Sequence, residues 1–315
     1  MPKHLKYQPE ECMIHHVTSR CWNGCLFLKP TPEITSLILG VLEYGRAAHK
    51  DGILIHNFVV MSNHYHLLLS SRTADDRKDF MRFFNKHISE EVNRVLGKKG
   101  TLWDNPYSSH VILDEVALEQ TYKYIFANTY KERLVEHPSD WPGFHGFHVL
   151  GEKREVEGVW YDRTTFYNKS RLKSGKDLTL EDFKTTYKIQ FDRPLMWKEL
   201  DDHAFHKKMC QFMDDVLEEW APEEEESVLG AEHVLEQKVY QFRRPKAGKS
   251  PLCQAGCAQL WKNFRDAYRT FKKEYQEANQ ALSRALRGGK SVHSILFPKG
   301  GILPVPYCRL LESAS

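Results

Sequence analysis

The sequence has no long hydrophobic run, no disulfide framework and no large excess of one charge. Its longest apolar stretch, residues 34–42, is interrupted by polar residues and a glycine, and is far shorter than the ~20 residues of a membrane span. Residues 1–4 lead into charged residues, so we expect no secretory signal. The seven cysteines are irregularly spaced and odd in number, which indicates reduced thiols and a cytoplasmic protein.

The overall composition is that of a globular protein. Hydrophobic residues make up 41% and charged residues 28% of the 315 residues, which excludes a fully disordered chain. The formal net charge of +3 is too small to indicate a nucleic-acid partner by itself. The length predicts about two domains, and a change of character past Pro138 suggests one domain over residues 1–150 and another over 151–315.

The first 135 residues alternate between strand-like and helix-like patterns. The segments are a strand at 12–20, a helix at 34–50, strands at 53–61 and 64–70, a helix at 75–96, a strand at 107–113 and a helix at 114–135. This order is a βαββαβ unit followed by one more helix. It predicts an α+β, ferredoxin-like sheet with helices.

The second half predicts a mainly helical accessory region. Residues 139–215 are weakly periodic, with Trp141, Trp160 and Trp197 as packing anchors, and residues 218–226 form an acidic run. A long helix is predicted over 253–287. Its apolar stripe consists of Leu260, Phe264, Tyr268, Phe271, Tyr275, Ala278, Leu282 and Ala285.

Two histidines, His64 and His66, occur close to the start of a predicted strand. Side chains two residues apart in a strand lie on the same face, so the two imidazoles lie side by side. Such a pair is suited to binding a metal ion, although it can equally be two ordinary histidines of a sheet face.

A tyrosine and an asparagine share one face of the last predicted helix of this unit. Tyr124 and Asn128 are four residues apart, so they project together. The phenol oxygen is a possible nucleophile and the amide oxygen a possible metal ligand. By themselves they are better explained as a core aromatic and a surface asparagine.

Several motifs occur in an order that identifies a family. They are VTSR at 17–20, FVVMSNHYHLLL at 58–69, GTLW at 100–103, YSS at 107–109, YI at 124–125 with Asn128, LV at 134–135 and PSDWP at 138–142. Together they resemble the single-tyrosine HUH transposases, and most of all the branch of REP-associated tyrosine transposases. The resemblance covers about residues 12–148. Thr129 replaces the usual proline after the asparagine, and Cys21 replaces a common glycine, but neither change removes a catalytic group.

The resemblance implies a DNA-nicking and strand-transfer enzyme of the HUH class. His64, His66 and Asn128 would bind Mg²⁺ or Mn²⁺, and Tyr124 would attack a scissile phosphate of single-stranded DNA to give a 5′-phosphotyrosine. The DNA would be single-stranded or a hairpin formed by palindromic repeats. The chain would act as a monomer or homodimer, with no membrane partner and in association with the nucleoid.

Binding of such DNA requires cationic side chains near the site and beyond it. The candidates are Arg20, Lys123 and Lys131 in the first half and the basic loop Arg243, Arg244, Lys246 and Lys249 in the second. We expect residues 150–315 to contact the stem of the hairpin.

Two other functions remain open on sequence grounds. The first is a nucleic-acid-binding regulator that has kept the fold without catalysis, whether in a mobile element or after domestication. The second is a zinc hydrolase that uses the histidine pair. This function would need a third strong ligand, such as His56, His110 or a carboxylate, to converge on the site.

Overall fold

The structure is a computed structural model of the 315-residue chain. It describes residues 6–172, 177–221, 227–241, 251–289, 291–304 and 307–308. None of the helices in these ranges is long and apolar enough to cross a membrane.

A five-stranded sheet forms the centre of the molecule. Its strands are β1 (Met13–Arg20), β2 (Ile53–Met61), β3 (His64–Ser71), β4 (Ser108–Ile112) and β7 (Cys253–Gln254). The spatial order is β2-β3-β1-β4-β7, and the first four strands pair antiparallel. This order of the first four strands is the ferredoxin-like arrangement, so the predicted fold class is confirmed.

Two helices cover one face of the sheet and build the larger core. They are α1 (Pro32–Ala48) and α2 (Ala74–Val95). The first begins where Thr31 caps the backbone and Pro32 occupies the first turn, and the second begins at a reciprocal capping box between Thr73 and Asp76. Their apolar faces pack on the side chains of β3 that alternate with the histidines, namely Tyr65, Leu67 and Leu69.

The third helix, α3 (Glu115–Lys131), lies on the opposite face of the sheet. Asp114 caps its first turn. The sequence predicted a helix continuing to residue 135, which is wrong. The helix ends because Arg133 adopts a left-handed backbone conformation (φ +53°) and the Leu134 N–H bonds to the Thr129 carbonyl, which closes the last turn.

The second half adds elements to both faces and to one edge of the sheet. They are α4 (Phe147–Leu150), β5 (Glu157–Tyr161), α5 (Arg163–Ser170), β6 (Lys184–Lys188), α6 (Asp202–Glu219), α7 (Ala231–Glu236) and α8 (Ala258–Arg287). The β5–β6 ribbon packs on α1 and α6 packs on α3. Trp141, Trp160 and Trp197 are buried, as expected of packing anchors.

Three short strands differ from the sequence prediction. Residues 139–215 contain the β5–β6 ribbon, and no residue of β6 is buried, so the sequence of β6 lacks a clear alternation. Cys253 and Gln254 form β7, parallel to β4, and the long helix therefore begins at Ala258. Leu260 is 39% exposed and does not belong to the buried stripe, whereas the other seven predicted members are buried.

Candidate active site

The histidine pair lies on the sheet face that α3 covers. In the register of β1 and β3, Arg20 is opposite His64 and Thr18 is opposite His66, so all four side chains belong to one face. The two imidazole rings are perpendicular, with centroids 5.0 Å apart. The alternation in β3 thus places both rings side by side, as the sequence predicted.

The turn between β2 and β3 determines which nitrogen of His64 carries the proton. The Asn63 amide nitrogen donates to the Gly24 carbonyl (3.2 Å), which orients its oxygen towards His64 Nδ1 at 2.7 Å. Since an amide oxygen only accepts hydrogen bonds, Nδ1 of His64 is the protonated nitrogen. Its Nε2 therefore carries a lone pair that is suited to a cation.

His66 is held by a second histidine that sequence reasoning missed. The Nδ1 atom of His66 and the Nε2 atom of His16, on the adjacent strand β1, are 2.9 Å apart in a buried hydrogen bond. The Nε2 atom of His66 is buried and has no partner. An unpaired buried nitrogen in this position fits a metal ligand. The sequence could have revealed His16, because the two-residue period of the strand puts it on the same face as Thr18 and Arg20.

Burial keeps these imidazoles neutral. It lowers the pKa of His64 to about 3, with Arg20 and Lys131 as further causes, and it lowers the pKa of His66 well below its usual range. His16 has a pKa of about 3 for the same reason. Neutral imidazole is the form that binds metal ions, so the electrostatic environment favours ligation.

Tyr124 projects from α3 onto this group of histidines. Its ring centroid lies 5.4 Å from that of His66 and 5.8 Å from that of His16, while 40% of the residue remains exposed. Burial, followed by the charge of Glu132, raises the pKa of its phenol. The phenol is therefore next to the histidine pair and open to a substrate, but it needs help to ionise.

Lys131 supplies a positive charge at Tyr124. Its Nζ atom lies 3.4 Å from the centroid of the Tyr124 ring, a close cation–π contact. Burial lowers the pKa of Lys131 to about 8, so its ammonium form is the main one at neutral pH. Arg20 also has an Nε atom that is buried without a partner. The charge of Glu132 opposes the effect of burial on the pKa of Lys131.

Asn128 is buried one turn after Tyr124. Its amide nitrogen donates to the carbonyl of Tyr124 (2.8 Å) and makes a longer contact with that of Ile125 (3.4 Å). These bonds hold the side chain on the Tyr124 face of α3 and leave its oxygen as the only atom that can bind a cation.

In the described ranges, no group of three His, Cys, Asp or Glu side chains is arranged so that it could hold a metal ion, so the ligand set of a zinc hydrolase is not present there. His56 has both ring nitrogens engaged elsewhere, with the Asp192 carbonyl (2.8 Å) and the Ser70 hydroxyl (2.6 Å). His110 lies beside His16, with ring centroids 5.7 Å apart, and within 3.2 Å of the Ser108 hydroxyl.

The comparison with known families agrees with this geometry. The family model described as "Transposase IS200 like" matches residues 43–128, a segment that contains His64, His66, Tyr124 and Asn128. This part of the chain is therefore similar to the IS200-like transposases.

The solved structures that are similar to this chain are distant. A REP-associated tyrosine transposase bound to a REP hairpin aligns over 47% of this chain and 84% of its own, at 23% identity and a TM-score of 0.36. A transposase candidate from Deinococcus radiodurans R1 aligns over 40% of this chain and 95% of its own, at 20% identity and a TM-score of 0.27. No curated protein matches the chain significantly. The similarity to the transposase family therefore depends on the match to residues 43–128.

The DNA contacts predicted from the sequence fall into three groups. Arg20 and Lys131 lie next to the histidine pair. Lys123 points to the other side of α3, where it forms an ion pair with Asp215 of α6, so its charge is neutralised. The basic loop lies outside the described residues and consists of Arg243, Arg244, Lys246 and Lys249.

Proposed function

We propose that this transposase domain is a metal-dependent endonuclease and strand transferase for single-stranded DNA, with Tyr124 as the nucleophile. The observation that carries the proposal is the position of the Tyr124 ring, 5.4 Å from that of His66, whose buried Nε2 atom has no partner. A nucleophile beside a nitrogen that can bind a metal ion is suited to metal-assisted phosphoryl transfer.

In the proposed reaction, the Tyr124 oxygen forms a bond to phosphorus as the bond from phosphorus to the 3′ oxygen breaks. The phenol proton leaves to solvent, and the departing strand ends in a 3′ hydroxyl. The 5′ end remains attached as a phosphotyrosine. A second 3′ hydroxyl then attacks this ester and releases the phenol. Because each step exchanges one phosphoester for another, the reaction needs no ATP.

The residues present fit a divalent cation. The Nε2 atoms of His64 and His66 and the amide oxygen of Asn128 would hold Mg²⁺ or Mn²⁺. Such a cation, when bound, polarises the scissile phosphate and offsets the charge of the leaving oxygen. Lys131 stabilises the phenolate of Tyr124, and Arg20 binds the phosphate from the strand opposite His64.

We infer that the DNA is a single strand carrying a palindromic hairpin. The distant REP-associated transposase was solved with a REP hairpin, which makes a hairpin oligonucleotide the first substrate to test. Residues 151–315, including the basic loop, would contact its stem. Since Tyr124 and both histidines belong to one chain, a monomer is sufficient for catalysis, although a homodimer remains compatible with the site.

The test is a covalent-adduct assay with hairpin oligonucleotides and Mg²⁺ or Mn²⁺. The wild-type chain should cut the DNA and form an adduct that migrates slowly in a denaturing gel, and Tyr124→Phe should not. The control is Tyr130→Phe, which removes a phenol from the same helix and should retain the adduct. An adduct in Tyr124→Phe would overturn the proposal.

The same assay separates the two other functions. Binding without cleavage by the wild-type chain would indicate a regulator. Cleavage that requires Zn²⁺ and leaves no adduct would indicate a hydrolase. Either result would replace the transferase proposal.

A further inference from the structure

His16 is a buried titratable residue that the proposed reaction does not use directly. It lies at the centre of the sheet, between Leu68 of β3 and His110 of β4 in the strand register. It is only 3% exposed, and its one hydrogen bond in the described structure joins its Nε2 atom to His66 Nδ1 at 2.9 Å. Its own Nδ1 atom is buried without a partner. A buried polar atom without a partner costs free energy, so such an atom in a native structure calls for an explanation.

The position of the single proton in the His16–His66 hydrogen bond determines whether His66 Nε2 can bind a cation. If His66 Nδ1 carries the proton and donates it to His16, then His66 Nε2 keeps a lone pair. If His16 donates instead, His66 Nε2 carries a proton and cannot bind a cation. Both rings are neutral, and each arrangement leaves two buried nitrogens without partners, so neither is strongly favoured by hydrogen bonding alone.

We propose that His16 is a positioning residue that accepts the Nδ1 proton of His66 and thereby presents His66 Nε2 to the metal ion. The inference rests on the proposed function, since it concerns the same metal site. Metal ligation selects the first arrangement without changing the total number of protons on the pair. His16 also keeps the His66 ring from rotating, because the hydrogen bond anchors the side of the ring away from the metal.

The two metal-binding histidines are thus oriented by different means. His64 is oriented locally, by the amide of the preceding residue Asn63. His66 is oriented by a residue 50 positions earlier in the chain, across the strand pair. A substitution that preserves an acceptor at position 16 should therefore preserve the site, and one that preserves only volume should not.

The test compares His16→Gln with His16→Met by titrating the full chain with Mn²⁺ alone in calorimetry. In His16→Gln, the new amide oxygen would take the place of Nε2 as acceptor, so we expect affinity within a few-fold of wild type. Methionine fills similar space but cannot accept the proton, and we expect about a 10- to 100-fold loss. His110→Gln, a neighbouring histidine of the same sheet face, is the matched control and should bind as wild type does.

The outcomes distinguish this inference from the proposed function. His64→Ala should abolish tight Mn²⁺ binding, and if it does not, the metal site itself is wrong. If His64→Ala loses binding while His16→Met binds as wild type does, only the role of His16 is refuted. Equal losses in His16→Gln and His16→Met would also refute it, because they would indicate packing and not proton acceptance.

A measurement on the unsubstituted chain keeps the test valid if His16→Met fails to fold. Nitrogen-15 spectra of the ring nitrogens, recorded with Mg²⁺, should show a directly bonded proton on His66 Nδ1 and none on Nε2. The reverse assignment would overturn the inference.

Discussion

Removal of the positive charge at Lys131 is the sharpest probe of how Tyr124 becomes a nucleophile. Burial raises the pKa of the Tyr124 phenol, so its ionisation at neutral pH is unfavourable. The Lys131 ammonium lies 3.4 Å from the centre of the same ring. Lys131→Met removes the charge and keeps most of the apolar volume, whereas Lys131→Arg keeps the charge and the contact with the ring.

The size of the effect follows from the separation and the partial exposure of the pair. Two unit charges about 4 Å apart attract each other by about 4 kcal/mol at an effective dielectric constant of 20, and by about 1 kcal/mol in water. Because Tyr124 is 40% exposed, we take about 1–3 kcal/mol for the phenolate. Loss of that stabilisation would slow formation of the phosphotyrosine by roughly 5- to 150-fold in Lys131→Met.

The assay is single-turnover cleavage of a hairpin oligonucleotide as a function of pH. Burial lowers the pKa of Lys131 to about 8, so its charge is present below pH 8 and is lost above it. The wild-type rate should therefore stop rising with pH near 8. In Lys131→Arg, which stays charged, the rate should continue to rise as the phenol ionises. Lys86→Met, an exposed lysine of α2 on the other face of the sheet, is the control.

Two results would refute this reasoning. If Lys131→Met cleaves as fast as wild type, the charge does not assist Tyr124. If Lys131→Arg is as slow as Lys131→Met, the neutral amine of the lysine is required as a proton acceptor, and the electrostatic account is wrong.

Two further predictions concern stability. Burial lowers the pKa of His56 to about 4 and that of His145 to about 3, while an unfolded histidine has a pKa of about 6.5. Because the unfolded state takes up these protons first, the full stabilising effect of the two neutral histidines is present above pH 6.5. As the pH falls from there towards 4, each histidine lowers the free energy of unfolding by up to about 1.4 kcal/mol per pH unit. An unchanged urea midpoint between pH 7 and pH 5 would contradict this. At Gly40, an added Cβ atom would lie 2.0 Å from the Val159 carbonyl oxygen, so Gly40→Ala should cost about 1–3 kcal/mol in chemical denaturation. Gly45→Ala should cost less, because its nearest neighbour is the side chain of Phe83, which can move; equal losses would argue against the close contact of α1 with β5.

Local sequence patterns were sufficient for much of the site. The two-residue period of a strand put His64 and His66 on one face, and the i, i+4 spacing of a helix put Tyr124 and Asn128 together. These rules hold wherever a strand or a helix forms, so no knowledge of distant contacts was needed. The ferredoxin-like order of the first four strands followed in the same way, from the alternation of strand and helix patterns.

Contacts between distant segments could not be read from local patterns. The pairing of His16 with His66 depends on the register of β1 against β3. The two bonds of His56 involve Ser70 and Asp192, the latter 136 positions away, and they exclude a role that sequence had left open. The parallel strand β7 has only two residues, which is too short to give a pattern.

For the first four strands and first three helices, the sequence by itself determined the approximate extent of each element and which side chains share a face, because these depend on backbone geometry over a few residues. The tertiary structure decided which buried nitrogen is left without a partner, which lysine reaches Tyr124 and which is neutralised by Asp215. Those outcomes depend on the packing of α3 against α6 and on the register of the strands. Both are determined by many contacts between distant parts of the chain. The chemistry of the site therefore comes from local sequence, and its arrangement comes from the fold.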